Sequence, residues 1–400
     1  MVTQPVKLLN HTSNLRMYDL DALRAFAMLL GIVLHAAFPF LPWRSSGNPD
    51  DPLFDLLILF IHGFRMPLFF LLSGFFTAML WDRRGFTGVI LHRLKRIGLP
   101  LLVSVATVLP LIILCFIVGA ELATQESWSN YDFAQDQSQN TDNEGFDFAH
   151  LWFLWHLLWL NATYLSVRKL LSPIVLLRCY KEQICKVMVI LLPFVTLIPQ
   201  LFMQEHTFGP DTSVRLIPDW YVLLYYFVFF LFGSTLFDIK THTGIPIVRT
   251  IGRRCSFLTI IGLIIFPFGI FYTFIESVSW FWISIIQLIF TWTMVIGLIG
   301  LFKLLLSRER FSIRYYSDAS YWMYLIHLPL VILAQGLITN WAIHESLKFF
   351  IICLSVTVVL LISYRFFVRY TFIGTLLNDV RTKSNDQKIK SKLGNFPTEL

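Results

Sequence analysis

Stretches of about 20 predominantly apolar residues recur along this chain, and they restrict the folds open to it. At a rise of about 1.5 Å per residue, such a helix crosses the hydrocarbon core of a bilayer, which is about 30 Å thick. The chain is also 56 % hydrophobic and only 14 % charged, unlike a soluble domain. The sequence therefore predicts an all-α, polytopic membrane protein with about ten transmembrane helices. Their approximate ranges are 20–40, 55–80, 97–120, 150–171, 185–203, 220–238, 256–275, 280–306, 320–338 and 347–368.

The distribution of lysine and arginine predicts the orientation of these helices, because cytoplasmic loops are enriched in both residues. With the N-terminus in the cytoplasm, 27 of the 32 basic residues lie on the cytoplasmic side. The exceptions are Arg44, Arg215 and Lys348 on the outer side, and Arg24 and Arg65 within helices. Both termini are therefore predicted to be cytoplasmic. The net charge of +7 is an average over two very different faces, so it indicates membrane orientation and not nucleic-acid binding.

The transmembrane domain is predicted to cover residues 16–370, between a cytoplasmic segment (1–15) and a basic cytoplasmic tail (371–400) near anionic lipid. Within the domain, residues 120–149 form an acidic outward loop. Few of its side chains could build a core, which favours a solvated segment over a binding lid. The five cysteines map to helices or cytoplasmic segments, so no disulfide is expected, and their spacing fits no metal site.

The first predicted helix carries three ionisable side chains, and each such group costs at least about 2.5–3.5 kcal/mol at mid-bilayer depth. Asp21, Arg24 and His35 share one stripe, because eleven residues complete about three helical turns. The stripe is therefore expected to face a protein-lined, wet interior. One interpretation is a functional site. The other is an ion pair between Asp21 and Arg24 together with a hydrogen-bonded core histidine.

The second predicted helix repeats this arrangement. His62 and Ser73 are eleven residues apart, and Arg65 lies one turn from His62. Because this helix runs in the opposite direction, His35, His62 and Arg65 are expected at comparable depth. Ser73 and its glycine neighbour either contact a substrate or simply allow close helix packing.

Arg93 and Arg96 lie one turn apart at the predicted cytoplasmic end of the third helix. Two guanidinium groups in this arrangement make good bidentate contacts to phosphate. The ordinary excess of positive charge on the cytoplasmic side also explains them without any ligand.

Two further stretches combine aromatic and ionisable residues. Trp152, Trp155 and Trp159 lie on one face where the chain re-enters from outside, which is typical of an aromatic belt or of a sugar-stacking platform. Tyr324 and His327 lie one turn apart within the ninth helix. A membrane histidine is often a packing residue, but here it adds to histidines on two other helices, which favours function.

Taken in order, these motifs resemble those of one family. The sequences "DALRAFAMLLGIVLH", "FRMPLFFLLSGFF", "HLWFL" and "YLIHLPL", with Arg93-x-x-Arg96 before Pro100, resemble the acyltransferase-3 family of membrane-bound O-acyltransferases over about residues 16–370. The resemblance implies transfer of an acyl group from cytoplasmic acyl-CoA to a carbohydrate hydroxyl at the outer face. His35 matches the family's essential histidine and Arg24 its paired basic residue, and Arg93 with Arg96 matches the motif at the CoA end.

The predicted site follows from the stripes and this resemblance together. Its catalytic residues are His35, Arg24 and Asp21, and its acyl-CoA-binding residues are Arg93 and Arg96. Its substrate-binding residues are His62, Arg65, Ser73, Trp152, Tyr324 and His327. The histidine either takes the proton of the attacking hydroxyl or carries the acyl group covalently. Arg65, His62 or His327 then stabilises the oxyanion or holds a dicarboxylic acyl end.

The resemblance is greatest to the branch that succinylates osmoregulated periplasmic glucans in the bacterial inner membrane. It implies succinyl-CoA as the donor substrate and no permanently bound cofactor or metal. Three alternatives remain: an acetyltransferase acting on another cell-envelope polysaccharide, a proton-coupled secondary transporter, and a non-catalytic scaffold. The transporter is disfavoured because the chain shows no two-fold internal repeat.

Overall fold

The computed structural model describes residues 17–40, 52–123, 147–173, 180–239, 247–248, 252–275, 278–308 and 310–378. Within these ranges the chain is mainly helical, with no strand and a single isolated bridge between Asp147 and Arg215. The predicted all-α fold is therefore confirmed. The predicted N-terminal segment and most of the 120–149 loop and of the tail lie outside the described residues.

Twelve α-helices occur in the described ranges. They are α1 (Tyr18–Ala37), α2 (Leu53–Arg93), α3 (Leu99–Leu122), α4 (Trp152–Leu171), α5 (Lys181–Val195), α6 (Leu197–Leu201), α7 (Trp220–Asp238), α8 (Phe257–Thr273), α9 (Trp280–Leu305), α10 (Phe311–Ile338), α11 (Glu345–Ser363) and α12 (Phe372–Leu377). Each of the ten predicted stretches coincides with a helix, and α5 and α6 share the fifth. The predicted start of the ninth stretch, at 320, was too late, because α10 begins at Phe311.

Eight helical segments of the described chain are long and apolar enough to cross a membrane. One of them, Leu53–Leu122, is 70 residues long and comprises α2 and α3, joined by the π-helical turn Leu94–Gly98. The 20-residue helix α4 is not among the eight, because its tryptophans, histidine and asparagine, together with Arg168 and Lys169, lower its mean hydropathy. The protein is thus a multi-pass membrane protein, and the cytoplasmic position of its termini stays a prediction.

Helix α2 continues well beyond its predicted end at residue 80. A straight helix of 41 residues would extend about 60 Å, twice the thickness of the hydrocarbon core. Gly85 interrupts it with φ 65° and ψ −174°, a conformation that residues with a Cβ rarely adopt. The chain therefore changes direction at Gly85 before it reaches Arg93 and the π-helical turn.

Two glycines bring α2 and α7 into backbone contact. A Cβ on Gly74 would lie 1.9 Å from the Phe230 carbonyl oxygen, and one on Gly233 would lie 1.9 Å from that of Leu71. Small residues at such a crossing are the usual way for membrane helices to pack closely. Of the two interpretations of Ser73 and Gly74, the structure favours helix packing.

The remaining contacts arrange the helices around one interior. Helix α1 packs against α2, α9 and α10, while α4 packs against α2. Helices α8 and α11 expose most of their apolar surface, as lipid-facing helices do. The polar stripes of α1, α2 and α10 therefore meet inside the protein and not at the lipid boundary.

Candidate functional site

A cavity of about 520 Å³ lies between α1, α2, α4 and α10. The segment between α6 and α7, residues 202–219, covers one end and is called the mouth loop below. Six predicted site residues line the cavity: His35, His62, Arg65, Trp152, Tyr324 and His327. The structure thus brings together side chains from four helices, as the stripes predicted for α1, α2 and α10.

Three histidines form a row along one wall of the cavity. The ring centroids of His35 and His327 are 5.2 Å apart, and those of His327 and His150 are 5.1 Å apart. His327 Nδ1 lies 2.7 Å from the Tyr324 carbonyl oxygen, and since a carbonyl only accepts, Nδ1 carries the proton. His327 Nε2 is therefore left with a lone pair, and no described residue hydrogen-bonds to it.

The ring of His35 is fixed at one end of this row, next to His327. It stacks on Phe38 with centroids 5.8 Å apart, and the Gln335 side-chain amide donates to the His35 backbone oxygen at 2.9 Å. The ring itself is half-buried and faces the cavity. A positioned imidazole of this kind can take or give a proton in a reaction within the cavity.

His150 connects α10 to the start of α4. Its Nε2 donates to the Leu325 carbonyl at 3.2 Å, and its own carbonyl accepts from the Tyr324 hydroxyl at 2.7 Å. These two bonds fix both Tyr324 and the ring of His150 beside His327. His150 was not predicted from the sequence, although it lies within the quoted "HLWFL" motif.

His62 joins α2 to the mouth loop. Its Nε2 donates to the Pro210 carbonyl at 2.7 Å, and Gly209 packs against its ring, where a Cβ would lie 2.6 Å from His62 Cδ2. The Nε2 proton of His62 is thus engaged in a hydrogen bond within the protein. His62 lines the cavity, and its hydrogen bond and ring contact hold the mouth loop in position.

Gln287 of α9 holds the other side of the mouth loop. Its Oε1 accepts from Gln200 Nε2 at 3.0 Å and from the Gly209 amide at 3.2 Å, while its Nε2 donates to the Thr207 carbonyl at 2.8 Å. Gln287 is 2 % exposed, so water cannot replace these bonds. This buried amide therefore fixes the shape of the loop above the cavity.

Replacing Gln287 by methionine, which has a similar volume, is expected to loosen the mouth loop. Loss of about 1–2 kcal/mol of hydrogen bonding should speed hydrogen exchange of the Gly209 amide by about tenfold. Hydrogen-exchange mass spectrometry of the purified protein measures this directly. Thr293→Val on the same helix is the control, and equal exchange in both variants would contradict the anchoring role.

The mouth loop makes the nearby part of the cavity acidic. Asp211 accepts from the backbone amides of Gln204 at 2.6 Å and Glu205 at 3.4 Å. Burial raises the pKa of the Asp211 carboxyl above its usual range, although these two amide bonds act in the opposite sense. The loop's arginine, Arg215, lies 3.7 Å from a carboxylate oxygen of Asp219.

A second group of charges lies away from the cavity. Arg24 Nη2 is 3.8 Å from Asp21 Oδ1 and 3.5 Å from the Ser317 hydroxyl. Arg24 lies close enough to Arg93 for their positive charges to repel each other, and Arg93 and Arg96 both lie near the Tyr321 phenol. Arg24, Arg93 and Arg96 are called the arginine cluster below.

Within the cluster, Arg93 is held by α2 and α4. Its Nη2 donates to the Thr77 hydroxyl at 2.6 Å, which lies 3.0 Å from the Asn161 side-chain oxygen. Arg93 Nε is buried and has no hydrogen-bond partner among the described residues. The Arg96 carbonyl accepts from the Tyr321 hydroxyl at 2.8 Å, so α10 also contacts the π-helical turn.

A family model for the acyltransferase domain matches residues 17–365 of this chain. The chain belongs to this acyltransferase-3 family. It is 24 % identical over 381 residues to "Glucans biosynthesis protein C" of Salmonella paratyphi B, covering 91 % of this chain and 94 % of that protein. The Escherichia coli O139:H28 protein of the same name is 24 % identical over 386 residues, covering 93 % and 97 %. No solved structure matches this chain.

The predicted site residues of this membrane acyltransferase therefore lie in three places. The cavity holds six of them, whereas Asp21, Arg24, Arg93 and Arg96 lie at the arginine cluster and Ser73 lies at the contact with α7. The carboxylate and guanidinium of Asp21 and Arg24 do not line the cavity of His35. Their roles stay predictions.

The helical stripes in the sequence did not predict several residues that line the cavity of the acyltransferase. Gln335 is a polar residue in an apolar helix, which the cost of a buried amide could have marked. The mouth loop contributes Gln204, Glu205, Asp211 and Ser213, but a loop has no periodicity from which to place them. Among the described residues, no group of three His, Cys, Asp or Glu side chains is arranged to hold a metal ion.

Proposed function

We propose that this acyltransferase transfers a succinyl group from cytoplasmic succinyl-CoA to a hydroxyl of a periplasmic glucan. The observation that carries the proposal is the placement of His35 in a cavity with both polar and apolar lining residues, between the mouth loop and the helices that hold the arginine cluster. The glucan acceptor is inferred from the name of the relatives, which are 24 % identical, and the succinyl donor from the branch of the family that the sequence motifs resemble.

His35 acts on the acceptor hydroxyl in this proposal. Its imidazole takes the hydroxyl proton as the oxygen attacks the thioester carbonyl, and the tetrahedral intermediate then expels the thiolate as the C–S bond breaks. The imidazolium returns the proton to the CoA sulfur. General-base catalysis of this kind contributes about 10²–10⁴-fold. In the covalent alternative, His35 attacks the thioester carbonyl first, and the C–S bond breaks to release the CoA thiolate. The acceptor hydroxyl then attacks the acyl-imidazole, the bond between nitrogen and acyl carbon breaks, and the hydroxyl proton neutralises the thiolate.

The arginine cluster is the proposed site for the phosphates of CoA. Like charges held close together repel each other, and an anionic ligand relieves that repulsion. Guanidinium groups bind phosphate oxygens in bidentate geometry, and Arg93 still has a buried Nε without a partner among the described residues. The pantetheine arm would then extend along α1, from Arg24 toward His35, a rise of about 16 Å for eleven residues.

The acceptor sugar is proposed to enter beneath the mouth loop. Trp152 lines the cavity there and is 8 % exposed, while the loop offers amide, hydroxyl and carboxylate groups. Aromatic faces and polar groups together are suited to a carbohydrate, since one contacts the apolar ring face and the others bind hydroxyls. Trp155 instead donates to the Leu216 carbonyl at 2.8 Å and supports the loop.

Purified protein in lipid nanodiscs tests the proposal. We expect succinyl-CoA and periplasmic glucan to yield free CoA and a glucan heavier by one succinyl group, measured by mass spectrometry. Transfer from acetyl-CoA but not from succinyl-CoA would contradict the proposed donor. Acylation of a different polysaccharide but not of the glucan would contradict the proposed acceptor. The same protein in sealed lipid vesicles tests the alternative: movement of the substrate across the vesicle membrane without release of CoA would identify a transporter.

A further inference from the structure

Arg65 is a positively charged side chain inside the membrane domain, and no residue that the structure describes gives it a charged partner. It lies within α2 and lines the cavity. Among the described residues, no carboxylate forms an ion pair with it and no group accepts a hydrogen bond from it. Its Nε is fully buried. The other arginine of the cavity, Arg215, is close to Asp219.

The guanidinium of Arg65 lies against Gly31 of α1. A Cβ at Gly31 would be 3.1 Å from Arg65 Nη1 and 3.9 Å from His327 Nε2. The bare backbone of Gly31 therefore gives room for the two groups to meet at one place on α1. Two neutral phenols, those of Tyr226 and Tyr324, also lie near the Arg65 guanidinium.

A cation in this position is costly unless something compensates it. Removing a charge from water costs several kcal/mol, and proteins normally repay the cost with a counter-charge and hydrogen bonds. Arg65 Nε and His327 Nε2 lack such partners in the described chain. A ligand that brings a negative charge and several acceptor oxygens would supply both.

The position of Arg65 also limits the length of that ligand. Gly31 and His35 are four residues apart on α1, so they are separated by about 6 Å along the helix. In a succinyl group, three C–C bonds of about 1.5 Å separate the free carboxylate from the thioester carbonyl, and the carboxylate oxygens extend further. A four-carbon dicarboxylic acyl group thus spans the distance between the two positions.

We propose that Arg65 binds the free carboxylate of a dicarboxylic acyl group and so selects the acyl donor, a proposal that rests on the acyl transfer proposed above. The planar guanidinium binds the carboxylate through two parallel hydrogen bonds. The neighbouring Gly31 leaves space for that plane. The thioester carbonyl then lies at His35.

The charges of the mouth loop support this direction of binding. Glu205, Asp211 and Asp219 all line the part of the cavity near the loop. They repel a carboxylate and favour a neutral sugar, so an anionic acyl end is best accommodated at Arg65. The cavity thus has one attractive position for a carboxylate and an acidic entrance for the acceptor.

A second role for Arg65 would be to stabilise the oxyanion formed at the carbonyl. That role is required for every acyl group, whereas carboxylate binding matters only for dicarboxylic ones. The two roles are separated by comparing succinyl-CoA with butyryl-CoA, which has the same number of carbons and no carboxylate.

The experiment measures kcat/KM for both thioesters in nanodiscs with the same glucan acceptor. Wild-type protein should prefer succinyl-CoA by about a hundredfold, because a site built for a polar group rejects an analogue that lacks it. Arg65→Gln should reduce this preference to within about threefold by lowering only the succinyl rate. Lys348→Gln removes a charge elsewhere and should keep the full preference.

Each outcome decides between the proposals. Equal wild-type rates with the two thioesters, or an equal loss of both in Arg65→Gln, would overturn carboxylate binding while leaving acyl transfer intact. No transfer from either thioester in the wild type would overturn the proposed function itself.

If Arg65→Gln does not assemble, Gly31→Ala takes its place. Its methyl group displaces Arg65 Nη1 and should reduce the preference at least threefold, and an unchanged preference would overturn the assignment.

Discussion

His35→Gln is expected to abolish most acyl transfer, by about 10²–10⁴-fold in kcat, with little change in the amount of folded protein. Glutamine keeps a polar side chain in the cavity but can neither accept the hydroxyl proton nor carry an acyl group. The backbone oxygen of residue 35 still accepts from Gln335, so the local helix contact remains. Release of CoA from acyl-CoA in the presence of acceptor measures the effect.

His344→Gln is the matched control for this substitution. His344 is an exposed histidine that caps α11 by accepting from the Ser346 amide, and it lies outside the cavity. We expect transfer close to that of the wild type. An unchanged level of substituted glucan in cells that carry His35→Gln would contradict the site assignment and would favour a scaffold role.

Residues on helical stripes could be predicted because helix geometry is local. Eleven residues return a side chain to the same face, so the spacing was enough to place His35, His62 and Arg65 in one interior. His327 followed from the cost of an ionisable group in a membrane helix. All four line the cavity.

The same argument placed Ser73 on the stripe of His62, but Ser73 does not line the cavity. Spacing fixes the angle around a helix axis but not the neighbour at each depth. At the level of Ser73, α2 faces α7, and Gly74 brings their backbones into contact. Asp21 and Arg24 share the face of His35 in the same way, yet lie about four and three turns from it.

The mouth loop and His150 depend on contacts between distant parts of the chain. The loop is held by Gln287, about 80 residues further on, and by His62, about 150 residues before it. His150 lies next to His327 only because α4 begins beside α10. The positions of the mouth loop and His150 therefore cannot be predicted from the residue spacing within any single helix.

Replacing both Arg93 and Arg96 by glutamine is expected to raise the KM for succinyl-CoA by about a hundredfold and to change kcat by less than about threefold. Each charge-assisted contact to a phosphate contributes about 1.5–3 kcal/mol, which is about tenfold or more per arginine. The arginines lie at a distance from His35, so the chemical step itself should continue. Initial rates over a range of succinyl-CoA concentrations separate the two constants.

The position of the phosphates can be tested with a donor that lacks them. Succinyl-pantetheine carries the same thioester without the nucleotide, so its KM should be equally high in wild type and in the double variant. Arg83→Gln with Arg84→Gln removes an exposed arginine pair from the same helix and serves as the control, for which KM should stay near the wild-type value. If both pairs alter KM for succinyl-CoA equally, the arginines act only as part of the general positive charge of that side, and the proposed phosphate site is wrong. An effect confined to Arg93 and Arg96, and absent for succinyl-pantetheine, requires direct binding of the nucleotide end at the arginine cluster.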